Sequence, residues 1–241
     1  MISPLPAIAY ARAAVGAAYV YGAFGHPCTP DNRRARAAQY PGSADNIRKY
    51  CQVLSGRRPA CSGCAWEGRR AYDCAQLSRL ALRAAGVSLP SGASSQWRAK
   101  AWAFQSDAVF LAVSSPCLVF RRDRWNNARP MAHVGFALGD GFVVDARSHR
   151  DGVLLSRLSA YPWTHVAVPL GFPLPGHENP WDGAGFPGLL PAFGSRGEAV
   201  LRLQRGLLSR GFALPRYGAD GIYGRETEAA LRAFLSQRPP R

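Results

Sequence analysis

Acidic residues are scarce in this chain. Fifteen Asp and Glu stand against 30 Lys and Arg in 241 residues, a formal net charge of +15, and almost all of the positive charge is arginine. Such a surface is drawn to polyanions, but charge alone does not choose among nucleic acid, anionic membrane and anionic cell wall. The marks of a nucleic-acid binder are missing: there is no zinc-finger spacing with paired histidines, no RRM signature and no dense basic run. Long apolar runs are missing too, and no stretch reaches the roughly 20 residues that span a bilayer. Residues 7–24 are rich in Ala, Val and Tyr, yet no basic region precedes them and Arg12 interrupts them, so they do not read as a signal peptide. They read instead as an amphipathic helix ending near Gly16, followed by a short strand. The expectation is a chain with no membrane span, cytoplasmic on synthesis and without its own export signal.

What is present fits an ordinary folded protein. A hydrophobic fraction of 47% with 19% charged residues excludes a disordered chain. The length suits one sizeable domain and a small second one. Three regions separate by composition: residues 1–168 alternate helical and strand-like patterns, 169–192 are dense in Pro and Gly and read as a semi-rigid linker, and 193–241 form a small helical unit. Within the first region, residues 25–70 are an Arg-, Cys- and Gly-rich excursion, expected on the surface as a lid or local cap.

The chain has six cysteines: Cys28, Cys51, Cys61, Cys64, Cys74 and Cys117. Without a secretion signal, a disulfide framework is not the default. Cys61-Ser-Gly-Cys64 is a knuckle-like CxxC that Cys28 and Cys51 could complete as a structural four-thiolate zinc site. The second CxxC is absent, so unligated buried thiols and oxidised pairs remain alternatives.

Cys74 stands apart from these. After it, Leu77, Leu80, Ala81, Ala84 and Ala85 recur at helical spacing, and Gly86 supplies a helix stop. Cys74 therefore sits at the first turn of a helix of about three turns, where unpaired N–H groups stabilise a thiolate and would lower the thiol pKa. The bland alternative is a small apolar residue packed at a helix start. His133 lies in the alternating run 131–138, which a Gly139-Asp140-Gly141 turn connects to the returning strand 142–146. With a three-residue loop, Leu138 faces Phe142, Phe136 faces Val144 and Gly135 faces Asp145. His133 and Asp145 then share one face as diagonal neighbours, roughly 7 Å apart at Cα. A two-residue loop would put Asp145 on the wrong face. The small residues flanking His133 suggest a face kept open for substrate; a satisfied structural histidine is the alternative. Nucleophile, base and orienter together make a Cys–His–X arrangement.

These residues resemble the NlpC-type cell-wall cysteine peptidases. The resemblance rests on YDCAQLSRLALRAAGVSLPSGASSQW, then CLVF, then AHVGFALGDGFVVDARSHRDGVLLS, with YARAAVGAAYVYGAFG matching the leading helix of that family. It implies an α+β, papain-like fold in which a helix-borne cysteine packs on an antiparallel sheet. Carried over by position, Cys74 is the nucleophile, His133 the base and Asp145 the third residue, with His149 the alternative orienter. Tyr19 would help hold the oxyanion, and Asp73, Tyr72 and Gln76 would bind substrate. Ala75-Gln76 replaces the usual Ser-Gly after the nucleophile, and Cys117 replaces an aspartate. No metal is implied for catalysis.

The C-terminal GSRGEAVLRLQRGLLSRGFALPRYGADGIYGRETEAALRAFLSQ resembles a small three-helix peptidoglycan-binding domain. Val200, Leu203, Leu207 and Leu208 stripe one helix, and Thr227, Ala230, Leu231 and Phe234 line another. The two resemblances imply a monomeric, phage-endolysin-like hydrolase of peptidoglycan stem peptides, cutting at the γ-D-glutamyl–diamino acid bond. Its partners would be peptidoglycan and other anionic wall polymers, not nucleic acid, reached after release from the cell or non-classical export. An N-acetylmuramoyl-L-alanine amidase and a non-catalytic wall-binding protein are the rival readings.

Overall fold

The computed structural model describes residues 1–113, 115–173, 194, 196–208 and 211–236. In chain order the elements are α1 (Leu5–Ala13), β1 (Ala18–Tyr19), β2 (Phe24–Pro27), α2 (Pro30–Gln39), α3 (Ala44–Lys49), β3 (Arg70–Tyr72), α4 (Cys74–Ala84) and α5 (Ala93–Trp97). Then come β4 (Trp102–Ser106), β5 (Pro116–Arg122), β6 (Met131–Leu138), β7 (Phe142–Ser148), β8 (Gly152–Arg157), β9 (His165–Pro169), α6 (Glu198–Leu208) and α7 (Arg225–Ser236). The fold is α+β, as expected.

The strands form two sheets. A six-stranded antiparallel sheet runs in the order β4-β9-β5-β6-β7-β8, and a three-stranded one in the order β1-β3-β2. The large sheet carries the core: Leu118, Val119, Phe120, Val134, Phe136, Val143 and Val144 are fully buried. Burial of that much branched and aromatic surface is the main stabilising force. Helices α1 and α4 pack on each other, and α4 lies on β6 and β7. The β6–β7 hairpin has the three-residue turn the alternation requires, with Phe136 opposite Val144 and Ala137 opposite Val143. Gly139 and Gly141 both take positive φ in that turn, where a Cβ would be strained.

The small sheet sets up the start of α4. β1 runs parallel to β3 with Tyr19 opposite Tyr72, so Tyr19 comes to lie beside the residues that follow β3, Asp73 and Cys74. β2 pairs antiparallel with β3, Pro27 opposite Arg70, which ties together the two ends of the 28–69 excursion. That excursion holds α2, capped by Thr29 accepting from the Asn32 amide at 3.2 Å, then α3, then turns with no helix or strand from 50 to 69.

One boundary differs from the sequence reading. The first unit does not stop at 168: Pro169 completes β9, the Leu170 amide bonds the Ala101 carbonyl at 2.8 Å, and Gly171 accepts from the Ile2 amide at 2.7 Å. The rest of the 169–192 linker, from 174 onward, falls outside the described residues. Where a three-helix unit was expected at 193–241, the described residues contain two helices. Gln204 joins them. Its buried amide donates to Asp220 Oδ1, the Ile222 carbonyl and Thr227 Oγ1, and its carbonyl oxygen accepts from the Gly221 amide at 2.7 Å.

Candidate active site

The site is built where the start of α4 meets the β6–β7 hairpin. Asp73 is the N-cap: Oδ1 accepts from the Gln76 amide at 2.7 Å and Oδ2 from the Gly22 amide at 3.0 Å. This fixes the first turn of α4 and with it the half-buried Cys74. The sulfur lies against β6, where the amide of Val134, the residue after His133, is directed at it together with the amide of Ala75.

His133 and Asp145 come together as the register demands. His133 Nε2 stands 2.8 Å from Asp145 Oδ2, with the carboxylate entirely buried and the imidazole 5% exposed. This leaves Nδ1 as the ring nitrogen free of the carboxylate. Arg147, two residues along the same face of β7, grips Asp145 with both ends of its guanidinium: Nε donates to Oδ2 and Nη2 to Oδ1, each at 2.7 Å. Burial alone would push the Asp145 carboxyl up. The hydrogen bonds from Arg147 and His133 outweigh it and hold the group below its ordinary value. Asp145 is therefore an anion that holds His133 while sharing its charge with the Arg147 guanidinium.

The face around His133 is covered, not open. Trp163 stacks on the imidazole, 5.5 Å between centroids at 15°, and Tyr161 lies 5.2 Å away. Tyr161 in turn sits under the Arg147 guanidinium at 4.2 Å. The absent side chain at Gly135 makes this packing fit. A Cβ there would come within 2.8 Å of Val143 Cγ1, 2.9 Å of the Trp163 ring and 3.1 Å of the Asp145 Cβ. The small residue two positions from His133 thus accommodates protein, not substrate.

Four further corrections follow. The Cys74 thiol is not lowered by its place at the helix start; burial, with the Asp73 charge adding to it, pushes it up to about 12 against the amides of Val134 and Ala75. Tyr72 is buried, with its hydroxyl 3.4 Å from that of Tyr10, so it lines the core and not a substrate surface. His149 does not reach the base. It meets Tyr19 edge-on at 4.8 Å and stacks on Tyr50 at 6.0 Å, and burial followed by the nearby Arg33 lowers it to about 4. Asp73 has both oxygens engaged by backbone amides, and burial raises its carboxyl to about 6 despite them.

Tyr19 does lie beside Cys74: burial raises its phenol, and the charges of Cys74 and Asp73 raise it further. Gln76 is half-buried, its amide donating to Ser91 Oγ at 3.0 Å and its oxygen accepting from Arg79. The sequence reading missed Arg147, Tyr161 and Trp163. Arg147 was legible, because residues i and i+2 of a strand share a face. Tyr161 and Trp163 arrive from the connection between β8 and β9, and no local periodicity announces them. Three cavities lie against the 20–71 part of the chain, and none of the three includes Cys74.

The fold and site by themselves define an α+β domain in which a helix-borne cysteine lies against the strand that carries a His–Asp pair. No family model matches the chain. Over 41 residues it is 50% identical to N-acetylmuramoyl-L-alanine amidase CwlL of Bacillus licheniformis, a stretch covering 17% of this chain and 11% of the length of that relative. Among solved structures it is similar to the NlpC/p60 domain of peptidoglycan hydrolase SagA, with a TM-score of 0.41 at 15% identity over 69% of this chain and 98% of the other. It is also similar to NlpC1 from Trichomonas vaginalis, TM-score 0.40 at 15% identity over 70% and 44%. A Staphylococcus aureus protein of the NLP/P60 family gives 0.40 at 16% identity over 68% and 40%.

Proposed function

We propose that the chain is a cysteine peptidase of the bacterial cell wall that hydrolyses stem peptides of peptidoglycan, with Cys74 as nucleophile, His133 as base and Asp145 as its orienter. The observation that carries this reading is the juxtaposition at the start of α4. A half-buried sulfur faces the strand whose His133 is held at 2.8 Å by a fully buried carboxylate. The wall as target is supported by the sequence resemblance of residues 7–168 and of the C-terminal unit to wall-directed modules. The +15 charge suits an anionic polymer.

The chemistry is acyl transfer to water. With the thiol raised by burial, Cys74 rests protonated at neutral pH and gives its proton to His133 as it attacks the stem-peptide carbonyl. Asp145 holds the imidazole and stabilises the imidazolium that forms. The Tyr19 hydroxyl and backbone amides at the helix start would take the developing oxyanion. His133 then protonates the leaving amine, and water releases the acyl group from sulfur. The bond taken is the γ-D-glutamyl–diamino acid linkage. The C-terminal unit would keep the enzyme on its insoluble substrate by raising effective concentration.

The 41-residue likeness to an amidase favours one rival, cleavage between muramic acid and L-alanine. Digestion of purified peptidoglycan followed by mass spectrometry of the products separates the two. A new amine on the diamino acid is expected; a new amine on L-alanine would make the enzyme an amidase. Wall that is bound but not cut by the unaltered chain would leave only a binding protein.

A further inference from the structure

The 28–69 excursion poses a problem of stability. Residues 50–69 form no helix or strand, and the apolar cluster beneath the excursion is built largely of alanines around Ile47. So little buried surface contributes modestly to ordering a turn-rich segment of this length, and a cross-link or a metal would add to it. Four cysteines far apart in sequence nevertheless line one small cavity: Cys28, Cys51, Cys61 and Cys64. Cys61 lies within electrostatic range of the other three. All four are free thiols.

The surroundings place a buried cation against that cavity. Arg33 is 2% exposed, and its guanidinium donates to Cys28 Sγ at 3.3 Å and to the Ile47 carbonyl at 3.4 Å. Among the described residues no carboxylate forms a salt bridge with it. A buried guanidinium held against Cys28 is placed to offset the thiolate charge that a bound metal ion would create. The CxxC is shaped as a turn: the Cys64 amide bonds the Cys61 carbonyl at 2.9 Å, Gly63 takes φ +73°, and Glu67 accepts from the Gly63 amide at 3.2 Å. Both cysteines of the pair line the same cavity, with the spacing of zinc knuckles.

We propose that Cys28, Cys51, Cys61 and Cys64 bind one zinc ion as a four-thiolate structural site. As they stand, no three His, Cys, Asp or Glu side chains among the described residues are grouped so as to hold a metal ion. The thiols border the cavity and close on the ion to sulfur distances of about 2.3 Å as each gives up its proton. Cys61 and Cys64 are only half-buried and sit in a segment without regular structure, so little opposes that closure. Four thiolates around one divalent ion carry a net charge of −2, which Arg33 partly offsets from the cavity wall. The excursion is also tied to the candidate active site. Tyr50, directly before Cys51, stacks on His149, which meets Tyr19 beside Cys74.

Elemental analysis of the full chain, produced in zinc-supplemented medium and purified under reductant, tests this. One zinc per chain is expected, retained by Cys74→Ser and lost from Cys28→Ser and from Cys64→Ser. Because those two variants could misfold, cobalt titration of the unaltered chain gives a mutation-free reading. Thiolate charge-transfer and tetrahedral d–d bands should saturate at one equivalent. A folded chain that binds neither ion overturns the site, and so does a peptide map showing these four cysteines as disulfides without metal. Neither readout depends on the proposed hydrolysis.

Discussion

The β6–β7 hairpin and the 28–69 excursion are built on opposite principles. In the hairpin, Phe136, Ala137, Val143 and Val144 are fully buried, and the functional side chains are placed by strand register alone. In the excursion, alternation is lacking, the buried residues are mostly small, and a buried arginine points at a cysteine. A segment rich in apolar surface positions polar groups as a by-product of its packing. A segment poor in it must obtain its order from specific polar or metal contacts. The difference also says where damage should appear: losses in the hairpin are global or catalytic, and losses in the excursion are local.

The largest effect is expected from Cys74→Ala. Wall hydrolysis should fall at least a thousandfold, in line with the loss of a nucleophile elsewhere, while thermal unfolding stays unchanged. Retained hydrolysis would move the chemistry away from the hairpin altogether. Asp145→Asn comes next, because it touches both catalysis and stability. A fall in kcat of about 10³–10⁴ is expected from a wrongly held imidazole. Arg147 also loses its partner, and breaking a buried pair costs roughly 3–5 kcal/mol, an upper figure here because the guanidinium is partly exposed. The pH dependence carries a sign. A carboxyl held below 3.8 contributes stability that is complete above that value and fades as pH falls through the lowered one. Acid titration of stability should therefore be shallower in Asp145→Asn than in the parent.

The third test sets the regions against each other directly. Phe136→Ala should cost about 3–5 kcal/mol and lower the global melting temperature. Ile47→Ala, although equally buried, should raise hydrogen exchange within 28–69 and leave the sheet amides protected, as local unfolding does. Uniform exchange across both regions would erase the distinction. Smallest is Gly135→Ala, expected to cost about 1–3 kcal/mol by overpacking against Val143 and Trp163. Its kcat should fall more than its binding weakens, since Asp145 is among the atoms displaced.

Much of this was legible in the residues, and the exceptions share a cause. The hairpin register followed from alternation and turn length, and the start of α4 from the spacing after Cys74, because both are local periodicities. The stacking of Trp163 on His133 was not, because a connecting loop brings it from 30 positions away. The raised Cys74 thiol escapes the sequence for a related reason: a helix terminus is visible there, but the burial that outweighs it is a property of the assembled fold. Gln204 belongs with the exceptions: its buried amide satisfies both the turn at 220–222 and Thr227, a role that only the fold reveals.

The central claim is that acyl transfer passes through the sulfur at the head of α4. Rapid acid quench during turnover of a defined stem peptide, followed by peptide mapping of the protein, measures this directly. The account predicts a thioester-linked acyl mass on the peptide containing Cys74, which accumulates and then decays. An adduct on any other residue, or turnover of the same peptide by Cys74→Ala at the parental rate, would contradict it.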